Sequence, residues 1–299
     1  GRGVASRNQI AFDLDAVAKA TTEHQRAQGN FFAQNGNFEG TQRRLVFGDF
    51  NVQRDGDTGS TTATINGKVA WEQMLSEQTM FGYYLGGEVA RSNIRGSFTG
   101  TQEKYGVSVG SYFVHALQAK IFLDGFIAVG AERNNLEMAD DILDLTSDYT
   151  TRTATMGAAV LGVYEYGQYL FRPELAFSYG KAWIGDVGFT GVAYSLTDNT
   201  LSLDAGNVSI TNLTLRPEVV WALDTDTVAD SNTQVSFAPR LICERVQSTT
   251  TKQDCGAGGE IGLTSTSRDG MSNTEFRVVV DKVGDSTRSS LVLNFEWQF

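Results

Sequence analysis

From Ser289 to Phe299 apolar and polar residues alternate: Leu291, Leu293, Phe295, Trp297 and Phe299 fall on one side, Val292, Asn294, Glu296 and Gln298 on the other. An extended chain turns successive side chains to opposite faces, so this spacing builds one wholly apolar and one mostly polar surface. A helix would scatter the same residues around its axis. The preceding run repeats the pattern, with Phe276, Val278 and Val280 opposed to Glu275, Arg277, Val279 and Asp281. Gly284, Asp285 and Ser286 join the two runs, which predicts a hairpin.

Earlier segments carry the same signature. Residues 168 to 183 set Tyr169, Phe171, Pro173, Leu175, Phe177 and Tyr179 against Arg172, Glu174, Ala176, Ser178 and Gly180. Residues 213 to 223 set Leu213, Leu215, Pro217, Val219, Trp221 and Leu223 against Thr214, Arg216, Glu218 and Ala222. A third copy opposes Val235, Phe237, Pro239 and Leu241 to Ser236, Ala238, Arg240 and Glu244. The triplet Arg-Pro-Glu occurs in the first two, so Arg172, Glu174, Arg216 and Glu218 share the polar face of adjacent strands and predict a cross-strand ion-pair ladder. All three prolines lie on the apolar side, in positions that strands tolerate at edges, ends or bulges.

From residue 40 onward the period of two predicts strands at about 40–53, 59–75, 79–92, 99–116, 119–132, 150–166, 168–183, 203–223, 234–246, 256–268, 271–282 and 287–299. Most exceed the roughly 5 to 6 residues of soluble strands and suffice for the roughly 9 to 11 that cross a bilayer at a tilt. With Phe299 on one rim, the links there fall near 76–78, 117–118, 167, 224–233 and 269–270 and are mostly tight. The opposite rim receives 54–58, 93–98, 133–149, 184–202, 247–255 and 283–286, with the longest loops. Short turns at one end and long loops at the other are the pattern of an outer-membrane barrel.

The mean hydropathy of -0.22, with no long uninterrupted apolar run, excludes a helical membrane protein. It does not bear on a barrel, whose lipid-facing and lumen-facing residues average out. Soluble sandwiches and propellers also alternate, because their buried faces are equally apolar. Strand length, the even count and the ionisable residues Glu72, Glu88, Arg172, Glu174, Arg216, Glu218, Arg240 and Glu296 on the polar face favour a lumen. Trp71, Phe81, Tyr83, Phe113, Tyr169, Phe171, Trp183, Trp297 and Phe299 lie near strand ends, where interfacial belts form. The expected fold is all-β: a twelve-stranded antiparallel transmembrane barrel over residues 40–299.

Residues 6 to 28 have helical spacing instead. Ser6 and Gln9 suit a capping box, Ile10, Leu14, Val17 and Ala18 share a face, and Gly29 suits a terminator. Asp13 and Asp15 early and Lys19 and Arg26 late complement the helix dipole. Residues 1–39 are therefore expected to form a helix and linker distinct from the barrel. Gly1 to Val4 lack the apolar core of a signal peptide, so an exported form is expected to be a mature or truncated chain.

A net charge of -11 argues against nucleic acid as a partner. Cys243 and Cys255 suit one local disulfide at the long-loop rim, stapling the ninth and tenth strands, or two free thiols. The two histidines, His24 and His115, give no zinc pattern, and Asp140, Asp141, Asp144 and Asp148 read as a solvated acidic loop rather than a metal site. His115, between Val114 and Ala116 near a short turn, reads as an interfacial structural residue. Ser108 has no activating partner, and no serine elbow or phosphate loop appears, so neither enzyme chemistry nor a cofactor is expected.

A helix immediately before about twelve strands, closed by a terminal Phe299 on an alternating strand, resembles the translocator domain of a type V secreted autotransporter, over nearly the whole chain. The resemblance implies that the helix, with Ile10, Asp13, Leu14, Val17, Lys19 and Arg26, threads and plugs the lumen below a passenger upstream of Gly1. Arg172, Glu174, Arg216, Glu218, Arg240 and Glu296 would then line that lumen and dock the helix or guide a passing chain. It implies an outer-membrane location with the long loops extracellular, among lipid and lipopolysaccharide. Phe295, Trp297 and Phe299 would be the assembly signal, with barrel-assembly machinery and periplasmic chaperones as partners of a monomer. Some members cut the helix between adjacent asparagines; this helix has no such pair, and cleavage is not expected here. A passive porin for small solutes and a surface adhesin using the long loops are the competing readings.

Overall fold

A computed structural model describes residues 24–36, 41–193, 196–203, 206–223, 231–268 and 270–298. The strands are β1 (His24–Gly36), β2 (Gln42–Asp55), β3 (Thr61–Ser76), β4 (Thr79–Ile94), β5 (Thr99–Gln118), β6 (Ile121–Ala139), β7 (Leu143–Gly162), β8 (Tyr164–Tyr166), β9 (Tyr169–Ile184), β10 (Val187–Ala193), β11 (Leu196–Leu203), β12 (Asn207–Ala222), β13 (Ser231–Gln247), β14 (Thr251–Ser267), β15 (Ser272–Val283) and β16 (Ser286–Gln298). Consecutive wall strands pair antiparallel from β1 to β7, then β7 with β9, β9 with β12, and on to β16. The pairing of β16 with β1 closes the sheet, so no edge is left to be satisfied in lipid. β8 is a short extension at the short-turn rim. The β10–β11 hairpin prolongs the wall beyond the opposite rim, where Phe189 pairs with Ser147 of β7.

The wall thus has thirteen strands among the described residues, one more than the sequence pattern suggests. The additional one is β1. Its residues were expected to close a helix with Arg26 in the last turn; the structure makes His24–Gly36 a strand, parallel to β16 and antiparallel to β2. The reason is legible in hindsight: Arg26, Gln28 and Phe32 point inward and Gln25, Ala27 and Phe31 outward, a period of two. Two strand edges, β2 and β16, offer this segment backbone hydrogen bonds on both sides, and a short polar stretch of weak helix propensity yields to them. Arg26 consequently lies in the barrel wall, where its Nε donates to Asn51 Oδ1 at 3.0 Å. Ile10, Asp13, Leu14, Val17, Lys19 and Phe299 lie outside the described residues.

The barrel is apolar outside and polar inside. Ile65 is 66% exposed and Val107 64%, whereas Lys68 is 4% exposed and Glu218 1%. That is the reverse of a water-soluble domain and is the arrangement that hydrocarbon around the wall requires. Turn chemistry follows the same plan, with Gly284 at φ 57° in the two-residue link from β15 to β16, a conformation glycine adopts without strain.

One part of the lumen departs from the polar rule. Phe32, Leu45, Ala70, Met80, Tyr84, Tyr112 and Ala128 form a buried cluster on the inner side of β1 to β6, toward the short-turn rim. Across β4 and β5, Gly82 pairs with Tyr112 and Tyr84 with Gly110, and each ring lies where a glycine side chain would be. The glycines are what let two tyrosines fold flat against the inner wall.

Candidate functional site

The polar lumen wall gathers on β9 and β12 to β16. Register sets Arg216 opposite Glu174 and Glu218 opposite Arg172, with Pro217 facing Pro173, so the two Arg-Pro-Glu triplets meet head to tail. Arg172 Nη2 lies 2.6 Å from Glu218 Oε2. Arg216 Nη2 lies 3.0 Å from Glu218 Oε1 and 2.5 Å from Glu260 Oε1, while its Nε donates to Glu260 Oε2 at 3.2 Å. A buried carboxylate is held in place by pairing and hydrogen bonding, and here Arg216 serves both Glu218 and Glu260.

The network runs on around the wall. Arg277 Nε is 3.1 Å from Glu260 Oε1, and Arg277 also pairs with Glu275 on its own strand. Asn294 Nδ2 donates to the other Glu275 oxygen at 2.6 Å. Arg240 Nη1 sits 3.4 Å from Asp281 Oδ2 and 3.8 Å from Glu260 Oε2. Arg288 of β16 reaches past β15 and β14 to Glu244 of β13, with two parallel contacts of 2.6 and 2.9 Å. The reach is possible because β14 presents Gly256 and Gly258 inward; a methyl at Gly258 would overlap Asp281. Glu296 lies on the same inner face and is buried.

The other wall is held by fewer charges and more rings. Lys104 Nζ is 2.5 Å from Glu88 and 3.8 Å from Glu132. Tyr112 donates its hydroxyl to Glu72 Oε1 at 2.9 Å, and Lys68 stands over the rings of Tyr84 and Phe47 at 5.6 and 5.8 Å.

The structure therefore brings Arg172, Arg216, Glu218 and Arg240 into one network, with Glu174 in register beside it. The residue sequence reasoning passed over is Glu260, to which Arg216, Arg240 and Arg277 all turn. Its signal was parity: counted along β14, Glu260 stands on the inward side between Gly258 and Gly262. Arg277, Glu275 and Arg288 have the same claim. Cys243 and Cys255 are direct register partners on β13 and β14 and form a disulfide toward the long-loop rim. His115 lies near the short-turn rim with Nδ1 2.9 Å from the Thr79 hydroxyl. Among the described residues no histidine, cysteine and carboxylate side chains gather as a metal site. Chemically the lumen wall offers fixed charge and hydrogen bonds, most densely on β9 and β12 to β16.

No family model matches the sequence, and no curated protein does either. Solved structures do match by shape. The β domain of the Bordetella autotransporter BrkA aligns with a TM-score of 0.60 at 14% identity, covering 85% of this chain and 96% of that one. The translocator domain of the autotransporter NalP from Neisseria meningitidis aligns with a TM-score of 0.51 at 14% identity, covering 94% of this chain and 91% of that one. The chain has the fold of autotransporter β domains: a closed, inside-out barrel that spans a membrane.

Proposed function

We propose that this barrel is an outer-membrane translocator domain that exports, or displays at the cell surface, a passenger encoded upstream of it. One observation carries the reading. β1 descends from the long-loop rim, where His24 is level with Asp55 and Arg288, to the short-turn rim, where Gly36 pairs with Arg43. The covalent chain before His24 consequently joins the barrel at the long-loop rim. If that rim is extracellular, as the extension of β6, β7 and the β10–β11 hairpin beyond it supports, anything attached upstream is held outside the cell.

The charged lumen fits this role. A wall of paired arginines and carboxylates gives a crossing polypeptide alternating donors and acceptors without one strong binding point, and Arg172, Arg216, Arg240 and Glu296 would dock or guide it. Assembly would draw on periplasmic chaperones and barrel-assembly machinery acting on the last strand, with folding as the driving force and no nucleotide consumed.

The test is display. A signal peptide and a small folded reporter placed before Gly1 should give a reporter that external protease removes from intact cells while the barrel stays protected. A reporter that remains inside intact cells, with the barrel correctly inserted, would overturn the proposal and leave a solute channel in its place.

A further inference from the structure

Around the outer surface, the apolar belt ends on the long-loop side at a row of cations. The row is densest on three adjacent strands. Arg133 follows Ile127, Val129 and Ala131 on the outward face of β6; Arg152 follows Met156 and Ala154 on β7; Lys181 follows Phe177 and Tyr179 on β9. Arg133 is the register partner of Thr150, two residues from Arg152, and Lys181 is the partner of Ala154, again two residues from Arg152. All three share one face; Arg152 is the diagonal neighbour of Arg133 on one side and of Lys181 on the other, each within the roughly 7 to 8 Å that long side chains bridge, while Arg133 and Lys181 lie two strands apart. Trp183 pairs directly with Arg152, and Lys181 Nζ lies 5.1 Å from its ring.

Two features separate this patch from ordinary surface charge. The chain carries a net charge of -11, so three clustered cations run against its average. The placement is also one-sided: at the other end of the belt the same strands present Ile121, Gly162 and Tyr169. Arg54, Arg245 and Lys282 continue the row on other strands. The nearest acid in contact is Asp148, 3.8 Å from Arg133, in a pair 70% and 64% exposed and therefore weak.

We infer that Arg133, Arg152 and Lys181, with Trp183 beside them, bind the phosphate groups of a lipid in the leaflet on the long-loop side. Guanidinium groups match phosphate oxygens two at a time, an ammonium adds a point charge, and an indole settles at headgroup depth. Cations spaced over three strands fit a headgroup that bears more than one phosphate, as phosphorylated glycolipids do. The patch stands at the edge of the lipid-facing belt, at the depth where lipid headgroups lie. The inference rests on the membrane-spanning barrel and not on passenger export, so each can fail while the other stands.

The experiment is a binding titration of the full chain, folded in a neutral detergent, with bis-phosphorylated lipid A and separately with its dephosphorylated form. Folding is checked beforehand by the heat-dependent gel mobility of barrels. The triple variant R133Q/R152Q/K181Q should bind the phosphorylated lipid at least about tenfold more weakly. R44Q, which removes an outward cation at the short-turn end of β2, should leave binding unchanged, and R152K should retain most of it. Equal binding of the two lipid forms, or unchanged binding by the triple variant, would overturn the inference.

Discussion

The Nδ2 of Asn30 donates to the side-chain Oδ1 of Asn294 at 2.5 Å, joining the first wall strand to the last across the seam that closes the barrel. On the β1 side the contact is backed by Gln28 Nε2, which donates to Asn30 Oδ1 at 2.9 Å. The seam is parallel, and parallel ladders are slightly weaker per residue than antiparallel ones, so these amides reinforce the joint where the wall is least self-sufficient.

A disulfide engineered at this seam tests whether β1 occupies the wall. Gln28 and Val292 are register partners and share the inward side. Q28C with V292C should cross-link spontaneously in the folded barrel, visible as a mobility shift without reductant. Q28C with Ser290→Cys, which is out of register, should cross-link much less. Equal yields from the two pairs would remove β1 from its assigned register.

The Glu260 carboxylate holds three arginines, so E260Q should be far more damaging than loss of an exposed acid. Breaking a buried pair on one side typically costs about 3 to 5 kcal/mol, because the remaining charges stay desolvated. Glu103 meets Arg91 at 3.9 Å with both groups well exposed, and E103Q should cost under about 1 kcal/mol. Urea unfolding in lipid vesicles, comparing the two variants, is the check.

Glycines on the inner wall predict a contrast of the same kind. A side chain at Gly110 would collide with the Tyr84 ring, whereas around Gly259, on the outer face, nothing lies within 4 Å. G110V should destabilise the barrel by about 1 to 3 kcal/mol through overpacking. G259A should be near neutral. Thermal unfolding of the two variants in one detergent separates them.

The ion pairs that line the lumen wall should also limit its conductance. R172A combined with R216A removes the cations that draw Glu218 and Glu260 across the polar wall, and single-channel current in planar bilayers should rise. A version lacking residues 1–23 should conduct more than the full chain if the upstream segment obstructs the pore. Unchanged current in the double variant would remove any gating role from the ladder. Large, steady and equal current from the full and truncated chains would favour a passive porin.

Much of this architecture was legible in the residue order, and the physical reason is locality. Which face each side chain of a strand takes follows from the pleat alone, so Arg172, Glu174, Arg216, Glu218, Arg240 and Glu296 could be assigned to the lumen from parity. The pairing of the two Arg-Pro-Glu triplets followed from neighbouring strands of the same pattern. Tight turns such as Gly284-Asp285 announced themselves by composition, but the long links expected at 133–149 and 247–255 did not survive: β6 and β7 run on to Ala139 and from Leu143, and β13 and β14 run on to Gln247 and from Thr251, because paired neighbours carry the ladder past the point where the alternation fades.

What the tertiary structure decided depends on closure. Residues 24–36 have no strong preference of their own, and only the free edges of β2 and β16, brought together by the curvature of the whole sheet, make them a strand and raise the wall to thirteen. Arg216 and Glu260 lie two strands apart, and Arg288 and Glu244 three; such contacts arise from curvature and from glycines that clear the way, neither of which any single segment encodes. Parity told which residues face inward. The closed barrel settled which of them touch, because distance across a lumen is a property of the ring and not of any strand in it.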